Sequence, residues 1–477
     1  MRFIDREEEL EELERAQRLA AERLFTTLIF GQRRVGKTEL VKQFEKGKRY
    51  LHFFVYEGKT KEAIREDFEK EMKEKGVLRP EVSIPSLDEL LRFIFRECRG
   101  YVVVFDEVQN MRNIYPAFFS VLQKEIDENP DTPLHLILLG SVIGLVKAIF
   151  EDMKSPLYGR VKSIIRLRPF RYRQVRLFLK ALGYRREEDF IRFYSVFGGL
   201  PKYYVAIDDY AMNGKDIFEI LEFFFFRENA PFRDEVQGIL RQEFGRGKSY
   251  FYSLLEAIAT GHTKLSEISS CMDSAPTSIT PFLSDLLDYY EIIEKVPRVG
   301  DERGRKSVYF IKSPLFRFWF RYVYPNIGLL ERGEYGRILA EVKHTFNSFV
   351  GMGFERVCVE ALEEMNRRNE LPFSFESIGP YWGKLKRGNE REEFEIDAVA
   401  LNGKTNEIMF VECKWQDNVD AERVLRELKE KSGFVEWKKE RRKEYYAIFA
   451  KSFKEKVEEP GLMTLDLQRL KRVFEHR

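Results

Sequence analysis

FTTLIFGQRRVGKTEL, residues 25–40, is the stretch that decides the fold. Phe25 to Phe30 predicts a buried strand, and Thr38 to Phe44 predicts a helix. Between them, Gly31-Gln32-Arg33-Arg34-Val35-Gly36-Lys37-Thr38 fits the pattern G-x-x-x-x-G-K-[ST]. Strand, loop and helix are the context this pattern needs. Glycines let backbone N–H groups wrap a phosphate chain, and the helix N-terminus adds positive potential. Lys37 is expected to reach the β- and γ-phosphates of ATP, and Thr38 to ligate Mg²⁺.

A second apolar strand ending in acid completes such a site. Tyr101-Val-Val-Val-Phe-Asp106-Glu107 supplies it. Asp106 is expected to hold Mg²⁺ through water, and Glu107 to polarise the attacking water. A third buried strand, Leu134 to Leu139, runs into Gly140-Ser141 and makes Ser141 a candidate γ-phosphate sensor. Buried strands alternating with helices predict a parallel sheet with its ligand at the strands' C-terminal ends.

The bulk composition sets the frame. The chain has 477 residues, enough for three or so domains at ~100–200 residues each. Lys plus Arg is 81 and Asp plus Glu is 79, so any nucleic-acid surface must be local. Charged residues make up 34%, a level that suits surface ion-pair networks. No run of ~18 uncharged apolar residues predicts a membrane span. The charged start, MRFIDREEEL, does not read as a signal peptide. Cys98, Cys271, Cys358 and Cys413 are too scattered for a disulfide framework or a C-x-x-C zinc site. A cytoplasmic location is the expectation.

FIDREEELEEL, GQRRVGKTEL, VVVFDEVQ, LLGS, SPLYGR and FGGLPKYY together resemble the archaeal P-loop ATPases related to the STAND and AAA+ groups. The resemblance implies that Phe3 to Arg6 lie near adenine. It makes Arg160 a candidate γ-phosphate or inter-subunit arginine, which would act in a homo-oligomer. It places Gly199 and Pro201 in a helical lid over the nucleotide. A surface arginine and a helix-ending Gly-Gly-x-Pro are the plain alternatives.

Four domains are expected: a P-loop core at 1–170, a helical lid at 171–235, a winged helix at 236–325 and a C-terminal α/β domain at 326–477. In the third, Thr277 to Tyr290 is the expected recognition helix, with IIEKV and SVYFI as the strands of the wing. The helix carries Asp285 and Asp288 and no Lys or Arg, which argues against major-groove reading. Arg298, Arg303, Arg305 and Lys306 in the wing leave DNA phosphate contact open. The alternative is a module that packs against the ATPase and senses nucleotide state.

In the last domain, FEIDAVALNGKTNEIMFVECKW, residues 394–415, puts Asp397, Glu412 and Lys414 inside apolar strands. Charges there are paired, bind metal or do chemistry. The order helix, strand, hairpin, helix, strand, with Asp followed by Glu-x-Lys, resembles the restriction-endonuclease-like PD-(D/E)XK pattern. It also resembles a domain of unknown function that accompanies these ATPases. On that reading Asp397 and Glu412 hold Mg²⁺, with the Cys413 carbonyl a candidate third ligand. Lys414 stabilises developing charge, and Glu355 on the preceding helix orients the site. The bland reading is an ion pair that fixes strand register.

A geometric condition follows. If Asn402-Gly403 closes a two-residue hairpin, Asp397 lies opposite Ile408, and Glu412 is roughly 13 Å further on. A shared metal requires a longer loop, about Asn402 to Glu407, or a bulge. The charged stretches KLKRGNEREE and WKKERRKEYY suit either a phosphate-facing rim or a solvated surface.

Overall fold

The computed structural model describes residues 3–244, 249–301, 306–387 and 390–475, with side chains omitted over 385–391. The described residues form two compact units. One comprises 1–169 with 200–202 and 288–290, and the other comprises the rest.

The first unit is built on a five-stranded parallel sheet of order β2-β3-β4-β1-β5. The strands are β1 (Leu24–Phe30), β2 (Tyr50–Phe54), β3 (Val102–Asp106), β4 (Leu134–Gly140) and β5 (Ser163–Arg166). Leu28, Val103, Val104, Leu136 and Leu138 are fully buried. The central strands thus read as near-continuous apolar runs, as helix-covered parallel strands should. β2 and β5 do not: their half-buried and exposed positions leave weak runs in the sequence.

The second unit holds the helices after residue 170, a hairpin, a 33-residue helix (Tyr335–Arg367) and a second sheet. The stretches expected as lid, third and last domains all fall within this unit, save 200–202 and 288–290. Aromatic contacts tie these stretches together: Phe225 lies 5.2 Å from Phe318, and Phe218 lies 5.0 Å from Phe346, centroid to centroid. Helices Ser249–Ala259, Leu265–Cys271 and Pro276–Ser284 precede the antiparallel pair β6 (Ile293–Pro297) and β7 (Ser307–Ile311).

The second sheet has order β12-β11-β10-β9-β8. Its strands are β8 (Ser377–Arg387), β9 (Glu390–Asn402), β10 (Glu407–Lys414), β11 (Lys443–Ala450) and β12 (Leu462–Leu465). β8, β9 and β10 are antiparallel neighbours, while β10, β11 and β12 run parallel. The crossover from β10 to β11 is helix Ala421–Ser432, which buries Val424, Leu425 and Leu428. Within KLKRGNEREE, Lys384 to Arg387 end β8 and Glu390 to Glu393 begin β9, while Gly388 and Asn389 lie outside the described residues. No helix among the described residues is long and apolar enough to cross a membrane.

Candidate functional site

The first site grows from the end of β1. Gly31 must lack a side chain, because an added Cβ would lie 2.2 Å from the Leu167 carbonyl oxygen. Gly36 sits at φ 96° and starts helix Lys37–Glu45. The left-handed turn at that position needs no Cβ. Arg34, at φ 71°, completes the tight turn. Lys37 is buried, and its Nζ donates to the Gly31 carbonyl at 2.8 Å and the Gln32 carbonyl at 3.2 Å. Arg6 braces the loop from outside, donating to the carbonyls of Arg168 at 2.7 Å and Val35 at 3.5 Å. Pro201 Cγ stands 3.5 Å from where a Gly36 Cβ would be.

Sheet register brings the acids to this loop. Thr38 Oγ1 donates to Asp106 Oδ2 at 2.8 Å, and Asp106 is buried at the end of β3. These two oxygen groups suit a hard cation such as Mg²⁺. Glu107 takes a left-handed backbone (φ 55°), which turns it away from the strand. Its Oε2 accepts from Ser141 Oγ at 2.5 Å and from Gln109 Nε2. Ser141 is thus joined to Glu107.

His52, which the sequence reading did not single out, stands beside them. Its Nδ1 is 2.7 Å from Glu45 and its Nε2 is 3.5 Å from Asp106. Burial disfavours its charge, but hydrogen bonds to Asp106 and Glu45 outweigh that and raise its pKa to about 9. The sequence signal was a histidine inside YLHFF, on a strand whose partner register sets Phe54 beside Asp106. Arg160 is committed elsewhere. Its guanidinium grips Asp127, with Nε and Nη2 both 2.9 Å from carboxylate oxygens.

The second site lies where β9, β10 and two helices meet. Ile408 pairs with Leu401 and Val411 with Ala398, so Glu412 and Asp397 are the next positions opposite each other. Facing side chains there have Cβ atoms ~4.5–5.5 Å apart. The Asn402-Gly403 pair does not form the two-residue turn. Asn402 Oδ1 instead accepts from the N–H groups of Lys404 and Thr405, and Asn406 takes the left-handed position at φ 58°. The side-chain turn lengthens the loop and sets the register.

Asp397 Oδ2 accepts the Cys413 N–H at 2.6 Å. Glu412 is buried, and Lys414 Nζ donates to its Oε1 at 2.6 Å. Burial raises the Asp397 pKa, and the Glu412 charge raises it further. The Glu355 pKa rises for the same reasons, burial first and then Asp397. Carboxylates that oppose one another's ionisation are a donor set that suits a cation. Among the described residues, no three His, Cys, Asp or Glu side chains converge closely enough to hold a metal by themselves. A cation there would rest on Asp397 and Glu412 with water, as Mg²⁺ commonly does.

Lys431 also reaches this site, and sequence reading missed it. Its Nζ lies 3.1 Å from both Glu412 oxygens. Lys431 stands three residues after Leu428 and seven after Val424, on the core-facing stripe of its helix. A lysine on an apolar stripe was the available signal.

Two basic stretches are engaged within the chain. Arg442 in WKKERRKEYY donates to the carbonyls of Ser432 at 2.8 Å and Trp437 at 3.0 Å, and Lys438 donates to Asn406 at 2.7 Å. Arg298, just after β6, lies over the Tyr381 ring at 4.8 Å and donates to the Trp382 carbonyl at 3.2 Å. Val299 joins the apolar core of the second sheet, and its N–H donates to the Pro380 carbonyl at 3.1 Å. The Arg298–Val299 segment after β6 is therefore packed on β8. Arg303 and Arg305 lie outside the described residues.

Two family models match separate parts of the chain. Residues 3–207 match the family described as an ATPase domain predominantly from Archaea. Residues 319–425 match a family described as archaea bacterial proteins of unknown function. Uncharacterized protein MJECL04 of Methanocaldococcus jannaschii is 29% identical over 473 residues, which cover 98% of this chain and 99% of that one. Among solved structures, the Walker-type ATPase PABY2304 of Pyrococcus abyssi aligns with a TM-score of 0.51 and 20% identity, covering 67% of this chain and 96% of that one. The Aeropyrum pernix ORC2 protein aligns at a TM-score of 0.44 and 12% identity, over 71% of this chain and 95% of that one. Residues 3–207 are thus similar to an ATPase domain predominantly from Archaea, and residues 319–425 to the second family.

Proposed function

We propose that this chain is an ATP-binding and ATP-hydrolysing switch coupled to a Mg²⁺-dependent, nuclease-like C-terminal site that acts on DNA. For the first half, the supporting geometry is the loop at 31–38 with Asp106 and Glu107. Loop N–H groups and Lys37 bind the phosphates of ATP. Glu107, steadied by Ser141 and Gln109, orients and polarises the attacking water. A cation held by Thr38 and Asp106 supplies charge neutralisation on those phosphates.

For the second half, one observation carries the reading: Asp397 and Glu412 face each other across β9 and β10, with Lys414 beside them. A divalent cation held by the two carboxylates supplies Lewis acidity toward a phosphodiester. Lys414 orients the nucleophile or offsets developing negative charge, and Glu355 supports the carboxylates from its helix. The order of helices and hairpin over 249–311 supports a winged helix. With Arg298 and Val299 packed on β8, that module serves the chain's own domain contacts better than groove reading.

The test is incubation of purified protein with supercoiled and linear DNA, with Mg²⁺ or Mn²⁺, with and without ATP. Cleavage lost in Asp397→Ala and altered in Lys37→Ala is the expected result. ATP turnover with no cleavage under any condition would overturn the nuclease half. A second reading has its own observation. Glu412 is already held by Lys414 and Lys431, which favours a regulatory ATPase whose C-terminal domain binds nucleic acid or a protein without cutting.

A further inference from the structure

We propose that Lys431 is a substrate-binding residue of the C-terminal site: it takes a phosphate oxygen of the nucleic-acid backbone once a cation has claimed Glu412. The inference rests on the nuclease-like reading above and adds a residue that the Asp, Glu-x-Lys pattern does not contain.

Three observations lead to it. First, Glu412 is contacted by two ammonium groups. Lys414 Nζ is 2.6 Å from Oε1, which already makes a charge-assisted hydrogen bond. Lys431 then adds a second ammonium 3.1 Å from both oxygens. Second, the two lysines reach Glu412 by different routes. Lys414 lies on the same strand and the same face as Glu412, two residues on. Lys431 comes from the last turn of the crossover helix Ala421–Ser432. A lysine has three donors on a flexible four-carbon stem, so Lys431 can exchange a carboxylate for a phosphate without moving its helix. Third, Lys431 keeps access to solvent, with 27% of its side chain exposed, whereas Glu412 keeps 6%. The buried partner is the anchor, and the more exposed one can face an incoming ligand.

Its charge also acts beyond Glu412. Lys431 favours the ionised forms of Asp397 and of Glu395, which lies two residues before Asp397 on β9. It therefore sits within the field of the whole acidic group. A backbone phosphate arriving at a cation on Asp397 and Glu412 would lie within reach of this ammonium. The chemistry that fits is a phosphodiester, because a single carboxylate ligand would gain nothing from the adjacent acids.

The experiment uses the full chain and two binding readouts. Mn²⁺ affinity is measured by calorimetry. DNA affinity is measured by fluorescence anisotropy with a labelled duplex in Ca²⁺, for wild type, Lys431→Ala, Lys431→Arg and Asp397→Ala. Lys431→Ala should weaken DNA binding by about tenfold, the loss of one charge-assisted phosphate contact. It should also tighten Mn²⁺ binding several-fold, since one competing cation has left Glu412. Lys431→Arg should restore most of the DNA affinity. A merely structural lysine would not move the two affinities in opposite directions. Unchanged DNA affinity in Lys431→Ala, alongside an Asp397-dependent Mn²⁺ site, would overturn the role of Lys431 and leave the nuclease-like reading standing. Wild-type protein that binds no Mn²⁺ at Asp397 would overturn both.

Discussion

The phosphate loop and the carboxylate cluster each set a lysine and acids at the end of a strand, yet they are assembled differently. Lys37 is fixed by carbonyls of its own loop, six and five residues away. Lys414 is fixed by Glu412, and the cluster is finished only by Asp397 from a neighbouring strand, Glu355 from one helix and Lys431 from another. A local loop made of backbone N–H groups and a lysine is built for an anion. A cluster of mutually opposed carboxylates favours protons, lysines or a cation nearby. The difference teaches which parts of a function a sequence can show.

Breaking each side of the comparison should have unequal effects. Lys37→Ala should cost the largest factor, about a thousandfold or more in ATP turnover, since it removes the contact proposed to the transferring phosphate. A colorimetric phosphate assay reads this directly, and turnover within tenfold of wild type would contradict the role given to Lys37. Glu107→Gln should lower turnover by about a hundredfold while ATP binding, followed with a fluorescent analogue, stays close to wild type. Joint loss of binding and turnover would make Glu107 a structural residue.

Packing in the second unit gives a smaller, purely structural effect. An added Cβ at Gly353 would lie 2.0 Å from Ser195 Oγ, where the long helix meets helix Glu187–Phe197. Gly353→Ala should destabilise by about 2–3 kcal/mol. Ser195→Gly in the same chain should recover part of the lost melting temperature. Equal melting of Gly353→Ala and wild type would mean that this helix pair is not the tight contact described.

The smallest effect concerns acid and the first unit. His135 is fully buried on β4, between Thr27 Oγ1 at 2.9 Å and Gln17 Oε1 at 3.0 Å. Burial, aided by the charge of Lys48, lowers its pKa to about 3. The native state therefore holds it neutral, while the unfolded chain protonates it below about pH 6.5. Its contribution is complete above that pH and falls away as pH drops toward 3. Near pH 5 the loss is about 2 kcal/mol. His135→Gln should flatten the slope of stability between pH 7 and pH 5 in urea unfolding. An unchanged slope would assign the acid sensitivity to other groups.

Legibility in the sequence followed the same contrast. Residues 31–38 are contiguous, and flanking apolar runs announce their strand and helix, so that site could be read directly. Asp397, Glu412 and Lys414 were legible as misplaced charges, but their meeting depended on hairpin register. The Asn402-Gly403 pair left that register open, because an asparagine side chain can either allow a tight turn or cap a longer one. Lys431 and His52 were invisible for another reason. Each is a single polar residue on an ordinary amphipathic element, and only the fold shows what it faces. Arg298 and Arg442 show another limit. Their basic surroundings suited either a phosphate-facing rim or a solvated surface, and only the fold shows the carbonyls and ring face each one meets within the chain.

The most direct measurement is a Mn²⁺ titration by electron paramagnetic resonance, on wild type, Asp106→Ala and Asp397→Ala, with and without a non-hydrolysable ATP analogue. The account predicts two classes of bound Mn²⁺. One appears only with nucleotide and vanishes in Asp106→Ala, and the other forms without nucleotide and vanishes in Asp397→Ala. A single nucleotide-dependent class, unaffected by Asp397→Ala, would contradict the claim that the second unit carries a metal-dependent site.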